Sequence, residues 1–431
     1  MPAHEASEIR RHPWARWLYS SVLYLLSPLI VWRVWREWVP TNPRRERLGL
    51  ITISTEQPRL WLHAASVGEV QAARPLIASL LERYPGHRLV ITTMTATGAS
   101  QVKSLFEGEV SHYFVPLDFP GATRRFIARL RPEMAIFFET ELWPNLLHAC
   151  HRQRIPIAVV NGRLSAKALR GYRRVGALMA DALSKVDWLA AKSEQDAERF
   201  RSLGMAVSRK AVVGSLKFDI FLPVGVSDDS EYLPIKFGER PVWIAASTHS
   251  GEDEQVLMAH ERLRERYPSA LLILVPRHPQ RFDTVAALCQ RQGERLARRS
   301  RQEAVQADTT VYLGDTMGEL RTLYGAANLA FVGGSLVPVG GHNLLEPAAL
   351  GIPVLSGPAL ANFEDVAKPL REAGALVEVA DAAALGEALI ALLNDPEKCH
   401  RQAAAGLAAI DANRGALQRT LKGLERLLPR K

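Results

Sequence analysis

The sequence predicts two doubly wound α/β domains joined by a link and preceded by a membrane-facing apolar segment. Three observations predict it. From residue 59 onward, short apolar runs alternate with helical stretches, the pattern of a parallel sheet covered by helices on both faces. The alternation restarts after the polar, proline-containing stretch Glu231–Arg240, so the pattern occurs twice. Finally, residues 17–32 carry no charge, while Trp and Arg crowd their flanks as in a segment held at a bilayer interface.

Composition sets outer bounds. A length of 431 residues suits two to three domains. With 47% hydrophobic and 23% charged residues the chain is globular and not disordered. Its three cysteines, Cys150, Cys289 and Cys399, stand far apart, which excludes a disulfide scaffold and gives no zinc spacing. No metal and no cofactor are expected. Lys plus Arg number 54 against 45 acids, a net +9 that permits anionic partners without dictating them. A nucleic-acid partner is not expected.

Residues 1–40 form the expected anchor. Eight Arg against four Glu over residues 1–47 leave a local cationic excess. The uncharged run Trp17–Trp32 has 16 residues. At about 1.5 Å per residue that is roughly 24 Å, short of the roughly 30 Å of a bilayer core, and Pro28 interrupts it. It reads as a marginal span or a shallow anchor; an amphipathic helix packed on the domain is the plainer alternative. No small-residue cleavage pattern follows it, which argues against a signal peptide.

Residues 41–225 form the first domain, with strand-like runs Arg59–Ala65, Arg88–Met94, Ser111–Pro116, Met134–Glu139, Ile157–Val160, Trp188–Ala191 and Ala211–Gly214. A helix after the first run stops before Pro85-Gly86, with a kink expected at Pro75. Residues 226–405 form the second, with Val242–Ala246, Leu271–Val275, Val311–Leu313, Leu329–Val332 and Pro353–Ser356. From Asp381 to the end the sequence reads as helix, residues 406–431 forming a terminal one. Ligands of such folds bind beyond the carboxyl ends of the strands, here in an expected interdomain cleft.

Four loops at strand ends are therefore the candidates. In the first, Ser66, Gly68 and Glu69 open a helix; the small residues admit a ligand, and Glu69 could take a proton from an attacking alcohol. The helix dipole would keep it ionised. Ser66 and Glu69 are equally spaced as a capping box. The second carries Glu139 and Glu141 beside Trp143, which suits substrate binding or another helix start. The third, Asn161–Ser165 with Arg163, leads to the basic face Lys167, Arg170 and Arg174, either solvated or suited to substrate phosphates.

The fourth loop holds Gly333, Gly334, Ser335, Gly340, Gly341, Asn343 and Glu346. Four glycines at a helix start would expose backbone amides to an anion, and Glu346 could accept hydrogen bonds from a ribose diol. Asn343 and Glu346 could also be a capping pair. Neither a dinucleotide fingerprint nor a Walker lysine motif is present there, which weighs against a dehydrogenase and a P-loop nucleotidase. Arg277 and His278 after one strand, and Ser247 after another, would complete an anion-binding wall.

The runs His63–Glu69, Glu139–Asn145, Gly214–Asp219, Pro276–Pro279 and Gly340–Glu346 resemble those of the Kdo transferases, the 3-deoxy-D-manno-octulosonic acid transferases of lipopolysaccharide synthesis. The similarity covers nearly the whole chain. It implies a GT-B fold, an inner-membrane enzyme facing the cytoplasm, CMP-Kdo as donor and the lipid A precursor as acceptor. It assigns Glu69 as catalytic base, and Arg277, His278, Ser335 and Asn343–Glu346 to the donor side. The alternatives are another GT-B enzyme or epimerase using a UDP-sugar, and a non-catalytic, membrane-anchored binding protein.

Overall fold

The computed structural model describes residues 12–36, 44–53, 56–219 and 237–428. They fall into two α/β units: residues up to Ile220 together with the segment from Arg414 onward, and Phe221–Asn413.

The sheet of the first unit contains β1 (Arg59–His63), β2 (Arg88–Thr93), β3 (Ser111–Phe114), β4 (Met134–Phe138), β5 (Ile157–Gly162), β6 (Trp188–Ala191) and β7 (Lys210–Val212). Its order is β3-β2-β1-β4-β5-β6-β7, every pair parallel. The central strands are apolar without alternation because helices cover both faces. Trp61 and Phe137 point into one core, and Leu62, Ile136 and Phe138 into the other.

The second unit repeats the plan with β8 (Val242–Thr248), β9 (Leu271–Pro276), β10 (Leu296–Arg298), β11 (Val311–Leu313), β12 (Leu329–Val332), β13 (Val354–Ser356) and β14 (Leu376–Glu378). Its order is β10-β11-β9-β8-β12-β13-β14, again all parallel. Each sheet reverses its strand order once, between β1 and β4 and between β8 and β12. Diverging connections at such a reversal leave a crevice beyond the strand ends.

Every strand-like run of the two domains is a strand. The additional strands β10 and β14 have three residues each, lie at sheet edges and end in Arg298 and Glu378, so they show no period. Helix Val67–Arg83 continues through Pro75. The expected C-terminal helix is three helices, Ala382–Asn394, Pro396–Asn413 and Ala416–Glu425. Pro396 forces a new start, and Gly415 sits at φ 89°, a left-handed conformation that favours glycine. The last helix packs into the first unit. Asp219 accepts the Gly415 and Leu417 N–H groups at 2.7 Å each, and Gly423 lies so close to Trp188 that a Cβ would approach its ring to 2.2 Å.

The amino-terminal run is also broken. It forms α1 (Pro13–Leu25) and α2 (Ser27–Arg36), with Pro28 in the opening turn of α2, where its missing N–H is tolerated. No helix among the described residues is long and apolar enough to cross a membrane. α1 turns polar atoms inward: Arg16 Nη1 and Ser20 Oγ both donate to Asn145 Oδ1, at 3.2 and 3.1 Å. Tyr19 bonds buried Asp118, which accepts the N–H groups of Asn145 and Leu146 at 3.0 and 2.8 Å. The outward side carries exposed Trp14, Trp17, Leu18 and Leu25, continued by Leu29 and Trp32 of α2. Arg10, Arg11, Trp38 and most of the link Glu231–Arg240 lie outside the described residues.

Candidate active site

In the first unit, the loops after β1 and β4 meet at the switch point. Ser66 caps helix Val67–Arg83, its hydroxyl accepting the Glu69 N–H at 3.4 Å. The Glu69 carboxylate turns back to accept the Ala65 N–H at 2.8 Å and the Ser66 hydroxyl at 3.2 Å. Ser66 thus forms its half of the capping box, while the Glu69 carboxylate reaches past the Ser66 N–H to that of Ala65, and these bonds hold it in place. A Cβ on Gly68 would meet only Ser66 Oγ, at 4.0 Å, so the backbone is open on that side.

The expectation that the dipole keeps Glu69 readily ionised is corrected. Burial pushes its pKa up to about 7; the Ala65 hydrogen bond opposes this, while the Glu141 and Glu139 charges add to it. Glu141 behaves differently. Burial raises its pKa too, but contacts from His63 and Trp143 outweigh that and leave it lowered. Trp143 Nε1 donates to it at 2.7 Å, and His63 Nε2 lies 3.6 Å away. His63 is fully buried, its Nδ1 held by Thr92 Oγ1 at 2.9 Å. No role was read for His63 in the sequence, although a polar residue ending a buried strand marks it.

Glu139 has φ 59° and Asn161 has φ 53°. Non-glycine residues are costly there and persist where surrounding structure imposes them, often at functional sites. Asn161 is buried, its Nδ2 without a hydrogen-bond partner among the described residues. Thr140 donates its hydroxyl to the Arg163 carbonyl, tying the second loop to the third and leaving the half-buried Arg163 side chain beside them. The basic helix Ala166–Arg174 buries no residue.

In the second unit, the loops after β8, β9 and β12 converge. Sequence reasoning assigned the Gly333–Ser335 amides to a ligand, and the structure corrects this. Glu252 is fully buried, and its carboxylate accepts the N–H groups of His249 (2.9 Å), Gly334 (2.6 Å), Ser335 (2.9 Å) and Leu336 (2.9 Å). The nest binds an anion, and the anion is the protein's own. Ser335 is fully buried; its hydroxyl donates to the Val332 carbonyl at 2.7 Å and accepts the Gly357 N–H at 2.9 Å, so its one hydrogen is committed within the protein. Gly341 gives its N–H to the Gly334 carbonyl at 2.7 Å. The glycines are there for packing: a Cβ on Gly334 would strike His342, and one on Gly341 would strike Leu360.

What stays available lies beside that nest. Exposed Arg277 forms no ion pair among the described residues. The helix after the glycines, Leu345–Ala349, has five residues, too few for an appreciable dipole. Asn343 organises its start, accepting the Leu345 N–H at 3.2 Å and donating to Glu346 at 2.9 Å. Burial raises the Glu346 pKa against the effects of Asn343 and Arg277. Ser247, at φ 59°, lies in β8 at the register shift between Ala246 and Thr248. His249 and His342 point Nε2 at Nε2, 2.8 Å apart, and His278 packs edge-on to His249. Burial, then neighbouring cations, depress the His342 pKa to about 4. Among the described residues no three His, Cys, Asp or Glu side chains could hold a metal ion.

Two parallel-sheet units with polar groups gathered at their switch points define the class: this is the domain plan of GT-B glycosyltransferases. The comparisons agree. Residues 239–408 match the family described as glycosyl transferases group 1, and residues 43–220 match the 3-deoxy-D-manno-octulosonic-acid transferase family. The chain is 40% identical over 423 residues to the 3-deoxy-D-manno-octulosonic acid transferase of Haemophilus influenzae, covering 96% of this chain and 99% of that one. It is 38% identical over 427 residues to the Bordetella pertussis enzyme, covering 95% and 99%. A crystal structure of UDP-GlcNAc 2-epimerase from Neisseria meningitidis superposes with a TM-score of 0.58 at 16% identity, over 85% of this chain and 100% of that one, a likeness of fold alone. The chain belongs to the Kdo transferase family. It is a glycosyltransferase that transfers Kdo in lipopolysaccharide synthesis.

Proposed function

We propose that this enzyme moves Kdo from CMP-Kdo to a primary hydroxyl of lipid IVA, the tetraacylated, bis-phosphorylated lipid A precursor, with inversion at the anomeric carbon. The observation that carries the reading is Glu69: a half-buried carboxylate at a sheet switch point, fixed by two hydrogen bonds, with its pKa near 7. A base poised near the working pH combines ionised population with proton affinity.

Glu69 removes the acceptor hydroxyl proton as the oxygen attacks the anomeric carbon. The new carbon–oxygen bond forms opposite the breaking bond to the phosphate, whose electron pair leaves with CMP. Charge grows on one phosphate, and Arg277 lies on the donor wall to meet it. The N–H groups of His342, Asn343 and Leu344, for which no protein acceptor appears among the described residues, would assist. His278 and Ser247 flank this wall. Glu346, aligned by Asn343, accepts the ribose hydroxyls. Glu139, Glu141 and Arg163, with Ser66 and Gly68, receive the acceptor sugar. Ionised Glu141 also helps keep the Glu69 pKa high.

The enzyme would work at the cytoplasmic face of the bacterial inner membrane, with α1 and α2 lying in the interface instead of crossing it. Polar atoms inward and tryptophans outward support this reading. Incubation with CMP-Kdo and lipid IVA tests the proposal: the product mass should rise by whole Kdo units, with CMP competing and UDP not. Turnover of a UDP-sugar, or competition by UDP alone, would favour the second enzymatic reading.

A further inference from the structure

We propose that the cavity between α1 and the helices Pro120–Leu130 and Pro144–Arg152 binds the phosphate headgroup of an anionic membrane glycerophospholipid. The cavity measures ≈ 570 Å³, ample for a glycerophosphate headgroup, and lies wholly within the first unit. Three guanidiniums line it, Arg16, Arg124 and Arg152, and no acidic side chain does.

Arg16 is buried and fixed by Asn145 at 3.2 Å, so one cation is preorganised in the wall. Arg124 and Arg152 are exposed and form no ion pair with any described carboxylate. His148, also lining the cavity, has a buried Nδ1 without a hydrogen-bond partner among the described residues. Asp181 and Asp118 offset part of the Arg16 charge from outside the lining, but no carboxylate faces the cavity, and a phosphate there would gain charge-assisted hydrogen bonds from the guanidiniums.

The rest of the lining identifies the ligand as a lipid. Trp17 and Tyr24 of α1 form one side, and both are largely exposed, at 65% and 54%. The apolar side of α1 continues past them through Leu18 and Leu25. A phosphate among the guanidiniums would leave its acyl chains beside an apolar helix surface, with aromatic rings at the boundary between them. A free anion would use the cations and leave that surface uncovered. The inference rests on the interfacial reading of α1 and adds a chemical preference among lipids.

The test uses the full-length protein with vesicles of phosphatidylcholine alone and with about a third phosphatidylglycerol, comparing wild type with Arg124→Gln/Arg152→Gln. At about fivefold per guanidinium, the double variant should lose roughly 25-fold in affinity for the anionic vesicles and bind neutral ones as wild type does. A control, Arg266→Gln/Arg291→Gln, removes equal charge from exposed positions of the second unit. The same loss in the control would mean a diffuse field and overturn the cavity site. Equal wild-type binding to both vesicles would overturn it too while leaving the interfacial reading standing; binding to neither would overturn both. If the double variant instead keeps its anionic preference and raises KM for acceptor in neutral detergent micelles, the cavity is an acceptor subsite and the proposal fails.

Discussion

Glu252 and Glu69 are both acids beside strand ends, yet their surroundings give them opposite tasks. Four backbone N–H groups converge on Glu252, and that carboxylate holds the loops after β8 and β12 together. Removing it strands buried donors, each worth about 1–3 kcal/mol, so Glu252→Ala should destabilise the second unit by at least about 3 kcal/mol in urea unfolding. A change below about 0.5 kcal/mol would mean that water replaces it. Glu69 receives one N–H and one hydroxyl and stays half-buried among other carboxylates. Only its ionised form can accept a proton. With its pKa near 7, kcat/KM should rise about tenfold per pH unit below 7 and level off above. A profile flat from pH 5 to 8 would contradict this. The strand-end positions of Glu69 and Arg277 were legible because strand-end loops with unusual composition are few. Glu252 was not, because a nest of amides in sequence does not say whether its anion comes from solvent or from a residue 82 positions earlier.

At the scale of elements, apolar runs bounded by helices disclosed the strands, since a doubly covered parallel sheet has no exposed side to break the run. The edge strands β10 and β14 escaped, having too few residues to show a pattern. The end of the chain escaped for another reason: one continuous apolar periodicity spans three helices, and what separates them is Pro396 and a left-handed Gly415. The last helix depends on a close approach. Gly423→Ala would place a methyl group against the Trp188 ring, and overpacking of this kind costs about 1–3 kcal/mol. The expected result is a lower urea midpoint for the first unit and earlier proteolysis after Asn413. An unchanged midpoint would show that Trp188 can turn aside freely.

For the whole molecule, the same device appears twice: a seven-stranded parallel sheet whose order reverses once, with reactive groups beyond the reversal. One unit offers carboxylates, the other an exposed arginine, Arg277, and a half-buried acid, Glu346. The amino-terminal helices carry the proposed membrane contact. Their aromatic side chains were legible and raised the expectation of a membrane contact, but the break at Leu26 and the polar docking of Arg16 and Ser20 on Asn145 depend on tertiary partners. Trp17→Glu with Leu25→Glu changes only exposed positions. The pair should lower vesicle partitioning at least about tenfold while leaving turnover of detergent-dispersed acceptor within about twofold. Undiminished partitioning would remove these helices from the membrane contact.

The central assignment is the proton acceptor. Glu69→Gln keeps an oxygen for the Ala65 N–H, so the cap and the fold should survive while the base is lost. In a direct assay of Kdo transfer, the variant should retain CMP binding within a few-fold of wild type and turn over about 10²–10⁴ more slowly across the pH range. Turnover within a few-fold of wild type, with the pH dependence intact, would contradict the assignment.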